Sequence, residues 1–342
     1  MTALTNSQTF TQRLSGTMLN PAAFIALGLW LAAHAVVLVL ANGALPFDRP
    51  ALPPAPFAVQ LLAPSFGMIE VFGLMGLVYW LTRDRAVPDL ATRAPERSLA
   101  ARETFGLLVY AAIGQGGGWL VGPALGFRPF SFHIAGSLFG CAIPPSPGEI
   151  TTWAIYNFVV FAVAPLLWFF RRYNATELNL RSTNRRNDAL VIVVVCLVES
   201  AFEFAVFGGG VFHLGARQFL IGAPLALFLF LIGTVLPTMV LIYAILIPRY
   251  LKLTGSATAT VLLGGLTYAA MHIVEGWTLY DNPRDAALSL IFVVIGYVGP
   301  GMFKTFVTLR TGNAWVHALG YHIVAPHVIM DAPLVVKAFG IG

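Results

Sequence analysis

Four groups of ionisable side chains lie inside or beside apolar runs of this sequence, and their spacings suit particular chemistry. In "VESAFEF", Glu199 and Glu203 are four residues apart, so a helix puts both on one face. Two neighbouring carboxylates resist double ionisation unless a cation or a proton lies between them. The pair therefore fits a metal site, a proton site, or a protonated carboxyl bonded across a bundle. In "TYAAMHIVEGW", Tyr268 stands four residues before His272 and Glu275 three after, so all three can share a face. A neutral imidazole is a good ligand for a borderline metal such as zinc, although Glu275 can also sit in water at a membrane edge. "RTGNAWVHALGYHIVAPHVIMDAP", from Arg310 to Pro333, carries His317, His322, His327 and Asp331. His317 faces with Tyr321, and His327 with Asp331. At ~100° per residue, His322 lies about 140° from both other histidines, so a straight α-helix cannot turn all three to one site. Pro326 is expected to bend the helix and swing His327. His213, after "FGGGVF", forms a weaker fourth group, and His34 and His133 read as structural or interfacial.

The elements that must position these groups are membrane helices. Hydrophobic residues make up 58% of the 342 residues and charged ones only 10%, against about 25% charged in a soluble domain. Apolar runs near 20 residues, enough to cross a ~30 Å hydrocarbon layer, recur along the whole chain. The expected fold is all-α, a polytopic transmembrane helix bundle of about nine segments. They fall at roughly 21–42, 64–82, 104–124, 151–170, 189–213, 219–247, 257–275, 286–308 and 313–331. The first run reads as a retained span, since no small-residue cleavage site follows it. Cys141 and Cys196 have no CxxC partner, which excludes a thiolate metal site and a disulfide framework.

Charge placement orients the bundle. With the N-terminus cytoplasmic, all but Arg49, Arg128, Arg217, Arg284 and Lys337 of the 20 Lys and Arg fall on the inside, Lys304 and Arg310 among them. The Asn174-Ala175-Thr176 sequon is then also inside and not glycosylated. The net charge of +5 reflects topology, and no basic patch interleaved with aromatics suggests nucleic acid. Nearly all intramembrane ionisable residues fall in the second half, His34 and Glu70 excepted. The division is therefore expected at 1–188 for accessory helices and 189–342 for a functional core. No Gly-rich phosphate loop, nucleophile elbow or zincin helix motif occurs. "GQGGGW" sits in a span, where it serves helix packing.

Residues 232–331 resemble the CPBP family of intramembrane metalloproteases, which includes CAAX-prenyl endopeptidases and bacteriocin-processing proteins. "LTYAAMH" looks like that family's aromatic-xxx-His motif. "IGYVGPGMFKTFVTLRTGNAWVHALGYH" looks like its glycine-rich helix, TG-x-x-W turn and final histidine helix. "IPRYLKLTGSATATVLLGGLTYAAMH" has the family's spacing between a basic turn and the histidine helix. The positions of the family's EExxxR motif hold Thr238, Met239 and Tyr243 here, so the chain resembles a divergent member. The family's terminal histidine position holds Tyr321, beside His322.

The resemblance implies a metal-dependent, peptidase-like hydrolase, with Zn2+ as the implied metal. It would act on a membrane-embedded or lipid-linked substrate, from a multi-pass position in the lipid bilayer of a bacterial cytoplasmic (inner) membrane. Glu199 and Glu203 would supply the base or a third ligand, and His272, His322 and His327 the metal ligands. Tyr268, Glu275, His317 and Asp331 would orient them, since ligating imidazoles need an acceptor on the other nitrogen. Two other functions compete. One is a non-catalytic membrane scaffold or assembly factor, favoured by the missing EExxxR. The other is a proton-coupled transporter, suited by Glu and His chains in spans but lacking a visible inverted repeat.

Overall fold

A computed structural model describes residues 21–47, 55–133, 144–207 and 209–342. Cys141 lies outside the described residues. Those described form helices and turns, with no strand among them. In chain order the helices are α1 Pro21–Ala41, α2 Phe57–Leu81, α3 Arg97–Ala124, α4 Pro147–Phe169, α5 Arg185–Val206, α6 Ala216–Thr254, α7 Ala257–Ala270, α8 Pro283–Thr311, α9 Ala314–Met330 and α10 Ala332–Ala338. Seven of them, α1 to α6 and α8, are long and apolar enough to cross a membrane.

The count of about nine differs from these seven at two places, for physical reasons. The 14-residue α7 spans only ~21 Å at 1.5 Å per residue, less than the hydrocarbon layer. The last apolar segment is not one straight rod, because α9 and α10 meet at 46° around Asp331.

Local sequence explains where the helices start and stop. Ser146 and Glu149 close a reciprocal capping box with Pro147 in the first turn of α4. Asn282 accepts from the Asp285 N–H to open α8, again with proline in the first turn. In "RTGNAW", Gly312 takes φ +64° and ends α8, and Asn313 then caps α9 by accepting from the Trp315 N–H.

The connections gather by side. Arg85 donates to Asp188 (2.6 Å) and to the Thr311 carbonyl (2.9 Å). Arg93 donates to Asn179 and to the Gly312 carbonyl, both at 2.7 Å. Arg97 reaches the Leu253 carbonyl and Arg310 the Thr82 carbonyl. The turns after α2, α4, α6 and α8 therefore share one arginine-rich end. There Arg249 and Tyr173 bind Glu103, and burial with this carboxylate pushes the Tyr173 hydroxyl up to about 12. At the opposite end Arg284 donates to the Leu40 and Ala41 carbonyls.

Lys304 departs from the charge-based expectation. It is not at a cytoplasmic turn but in the interior of α8, 1% exposed. As a topology marker it is withdrawn; as a buried cation it belongs to the site.

α1 and α5 turn most of their apolar side chains outward, whereas α6 and α8 form the centre. All eight side chains from Met239 to Leu246 are buried. α7 and α8 touch through glycine, since a Cβ on Gly301 would fall 2.5 Å from the Cβ of Tyr268. α9 meets α5 the same way, a Cβ on Gly320 falling 3.1 Å from the Ile192 Cα.

Several helices contain π-wound stretches, with i→i+5 bonding: Phe158–Val163, Leu231–Val235, Met239–Leu246 and most of α9. Carbonyls in the first three accept an extra bond from a distant side chain. Tyr110 donates to Val160, Asn157 to Gly233 and Asn179 to Tyr243. These polar side chains hold wide turns in place inside an apolar core.

Candidate functional site

A cavity of about 190 Å³ lies among α5, α7, α8 and α9. His133, His272, His322, His327, Glu199 and Lys304 line it, with the rings of Tyr268, Tyr297 and Tyr321. α3 and α7 both start at the arginine-rich end. His133 and His272 follow their far ends, so these two imidazoles lie toward the opposite side of the bundle.

His272 sits just past α7, where its N–H still bonds the Ala269 carbonyl (2.9 Å). The helix has ended, yet the neighbours expected from a shared face are present. The Tyr268 ring is 4.7 Å away edge-on, and Nδ1 lies 2.5 Å from the Glu275 carboxylate. Stacking of the ring between His133 (3.9 Å) and Tyr297 (3.7 Å) fixes its plane. Its Nε2 is buried with no hydrogen-bond partner.

His327 repeats the arrangement. Nδ1 lies 3.0 Å from Asp331, the ring stacks on Phe230 at 4.4 Å, and Nε2 is buried without a partner. An acidic acceptor on Nδ1 with a free Nε2 is how metal-ligating imidazoles are held.

His322 differs. Its nitrogens face two hydroxyls at long range, Nδ1 to Thr238 (3.5 Å) and Nε2 to Tyr268 (3.4 Å). The Thr238 hydroxyl already donates to the Thr234 carbonyl, so it can only accept from His322. A proton on Nδ1 would suit both contacts, with Tyr268 then donating to Nε2. His317 does not line the cavity. It packs 4.1 Å from the Tyr243 ring and 6.5 Å from His322.

The winding of α9 explains how His322 and His327 share the cavity despite the 140° expected between them. Bonds from Ile323 N–H to Ala318 and from Val328 N–H to Ile323 are i→i+5. Such winding brings residues five apart close to one face. The ring centroids of His322 and His327 are 5.4 Å apart. The expected bend at Pro326 lies instead at Asp331.

Of the two α5 carboxyls, only Glu199 lines the cavity. It is 4% exposed, one oxygen has no partner, and Glu70 of α2 and Glu203 both act on its charge. Lys304 places Nζ 3.7 Å over the Tyr268 ring and 5.7 Å from that of Tyr321.

Sequence reasoning missed Lys304 and His133. Lys304 had a signal, as a lysine in the middle of a span-length apolar run. His133 had none, because a loop brings it 139 residues along the chain to stack on His272. His34 lies 2.9 Å from the Trp30 carbonyl and 3.2 Å from the Ser65 hydroxyl.

His133, His272 and Glu275 place one potential ligand atom each within 4.8 Å of one another. His272, His327 and Glu199 line the cavity, and each has one buried polar atom without a hydrogen-bond partner: the two Nε2 atoms and a carboxyl oxygen. No family model, curated protein or solved structure matches this chain.

Proposed function

We propose that this protein is a metal-dependent hydrolase working inside a bacterial cytoplasmic membrane, on a membrane-embedded or lipid-linked substrate. The observation carrying the reading is a cavity lined by His272, His327 and Glu199, with Glu275 and Asp331 behind the two imidazoles, beside the His133, His272 and Glu275 group whose potential ligand atoms lie within 4.8 Å of one another. Buried, unpartnered Nε2 atoms are costly in a core unless something binds them. Two imidazoles with carboxylates form a donor set suited to Zn2+. When bound, such a metal lowers the pKa of its water toward ~7 and polarises a carbonyl.

The chain's own residues do the rest. His272 and His327 would hold the metal, with Glu275 and Asp331 keeping each Nδ1 protonated and each ring oriented. Glu199 accepts the proton of the attacking water and returns it to the leaving group. Glu203 stands one turn behind as a further acid. Tyr268 and Thr238 hold His322, and His317 supports α9 against Tyr243.

The charge distribution supports a cytoplasmic N-terminus, with α7 and the bent α9–α10 pair as further passes. The His133 and His272 side of the cavity then faces away from the cytoplasm.

The test is zinc content after purification without added metal. Wild type is expected to carry zinc and His272→Ala to lose it. Negligible metal in both would defeat the proposal. A second reading, a non-catalytic scaffold, draws on Thr238, Met239 and Tyr243 at the EExxxR positions and on the hydroxyl-bonded His322. It predicts that replacing Glu199, His272 and His327 together leaves the cellular phenotype intact.

A further inference from the structure

We propose that Lys304 is the recognition group for a single carboxylate on the substrate, bound in the cavity between the α8 ammonium and the imidazoles. This rests on the reading of the cavity as a substrate site, but not on a bound metal.

Two other buried cations in this protein are paired. The Arg85 and Arg249 side chains are at most 3% exposed, and each has a carboxylate at 2.6 Å, Asp188 and Glu103. Lys304 is equally buried, yet no carboxylate among the described residues pairs with it. Its ammonium has the Tyr268 face at 3.7 Å and, farther off, that of Tyr321 at 5.7 Å. A cation–π contact offsets part of the cost of burying a charge and leaves the rest uncompensated. That cost is tolerated where a ligand supplies the missing anion.

The position is also built. Close approach at Gly301 sets Tyr268 against α8, which puts the ring under the ammonium. Lys304 lines the cavity. One positive charge matches one negative charge. Glu199 lines the same space without forming an ion pair with Lys304. The volume of about 190 Å³ admits a carboxylate with a few attached atoms. Such a group can come from a peptide C-terminus or from a fatty acid.

The experiment uses the full chain in detergent, stripped of metal with EDTA, at constant ionic strength. Acetate is titrated by calorimetry and by thermal unfolding, with neutral acetamide as control. Acetate is expected to bind and acetamide not. Lys304→Met should weaken acetate by roughly tenfold or more, the loss of a charge-assisted hydrogen bond. Without anion, Lys304→Met should unfold no earlier than wild type, because it removes an unpaired buried charge; Lys304→Gln repeats the test should the methionine variant not fold. Hexanoate binding more tightly than N-acetylglycine assigns a lipid acid, and the reverse assigns a peptide terminus. Equal acetate affinity in wild type and Lys304→Met, no acetate binding in wild type, or phosphate binding more tightly than acetate would overturn the proposal. Acetate binding that depends on Lys304 in a protein that never holds zinc would sink the hydrolase reading and leave this one standing.

Discussion

α5 and α9 both carry ionisable side chains toward the same cavity, but they are wound differently. α5 is a regular α-helix over Arg185–Phe207. Its glutamates, four residues apart, share a face as the spacing requires, yet only Glu199 reaches the cavity while Glu203 stops one turn beyond. α9 is π-wound over Ala318–His322 and Val324–Met330. Its histidines, five residues apart, approach one face where α-helical spacing would separate them. Spacing in sequence thus decides which residues are neighbours only once the winding is known. In the regular helix, depth along the axis then decides which of two equivalent residues is used.

The strongest way to break this comparison is on α5. Glu199→Gln is expected to lower hydrolysis by about 10²–10⁴-fold, the usual contribution of a general base. Glu203→Gln on the same face should change it far less. Equal losses, measured on one substrate at one pH, would erase the distinction between them.

Next come the carboxylates that hold the imidazoles. Asp331→Asn and Glu275→Gln should each weaken zinc by about 10–100-fold in a chelator competition, as removal of an orienting acceptor does. Unchanged affinity in Asp331→Asn would show that the α9 winding does not deliver His327 as a ligand.

Smaller still is the contact between the two helices. Gly320→Val should cost about 1–3 kcal/mol in thermal or denaturant unfolding, because added carbons meet the Ile192 backbone. No loss would mean that α5 and α9 pack less closely than described. The smallest effect belongs to Arg83→Ala, whose partner Asp84 is 89% exposed. It should move the unfolding midpoint barely at all, within about 0.5 kcal/mol.

The helices were legible because hydrocarbon-length apolar runs leave little choice of structure. Each apolar segment read from the sequence falls on a helix. The shortness of α7 and the break at Asp331 were not legible, since composition alone does not say where a hydrogen-bond ladder stops. In the site, the pairs His272 with Glu275 and His327 with Asp331 followed from spacing, being local. The partners brought by tertiary packing did not: His133 stacks from a distant loop, and Glu70 approaches Glu199 from α2. Lys304 was visible as a charge inside an apolar run, but the positive-inside count absorbed it as a topology signal. The joint placement of His322 and His327 depended on π winding, for which sequence offers only the proline at 326, a residue with no N–H to complete an α-helical ladder.

The most direct test of the central claim is zinc K-edge absorption on the purified full chain loaded with one equivalent of metal. Nitrogen and oxygen ligands at about 2.0–2.1 Å with imidazole scattering are expected. The imidazole signal should fall in His272→Ala and again in His327→Ala. A spectrum showing only oxygen neighbours, unchanged in both variants, would contradict the convergence of these helices on one metal-holding cavity.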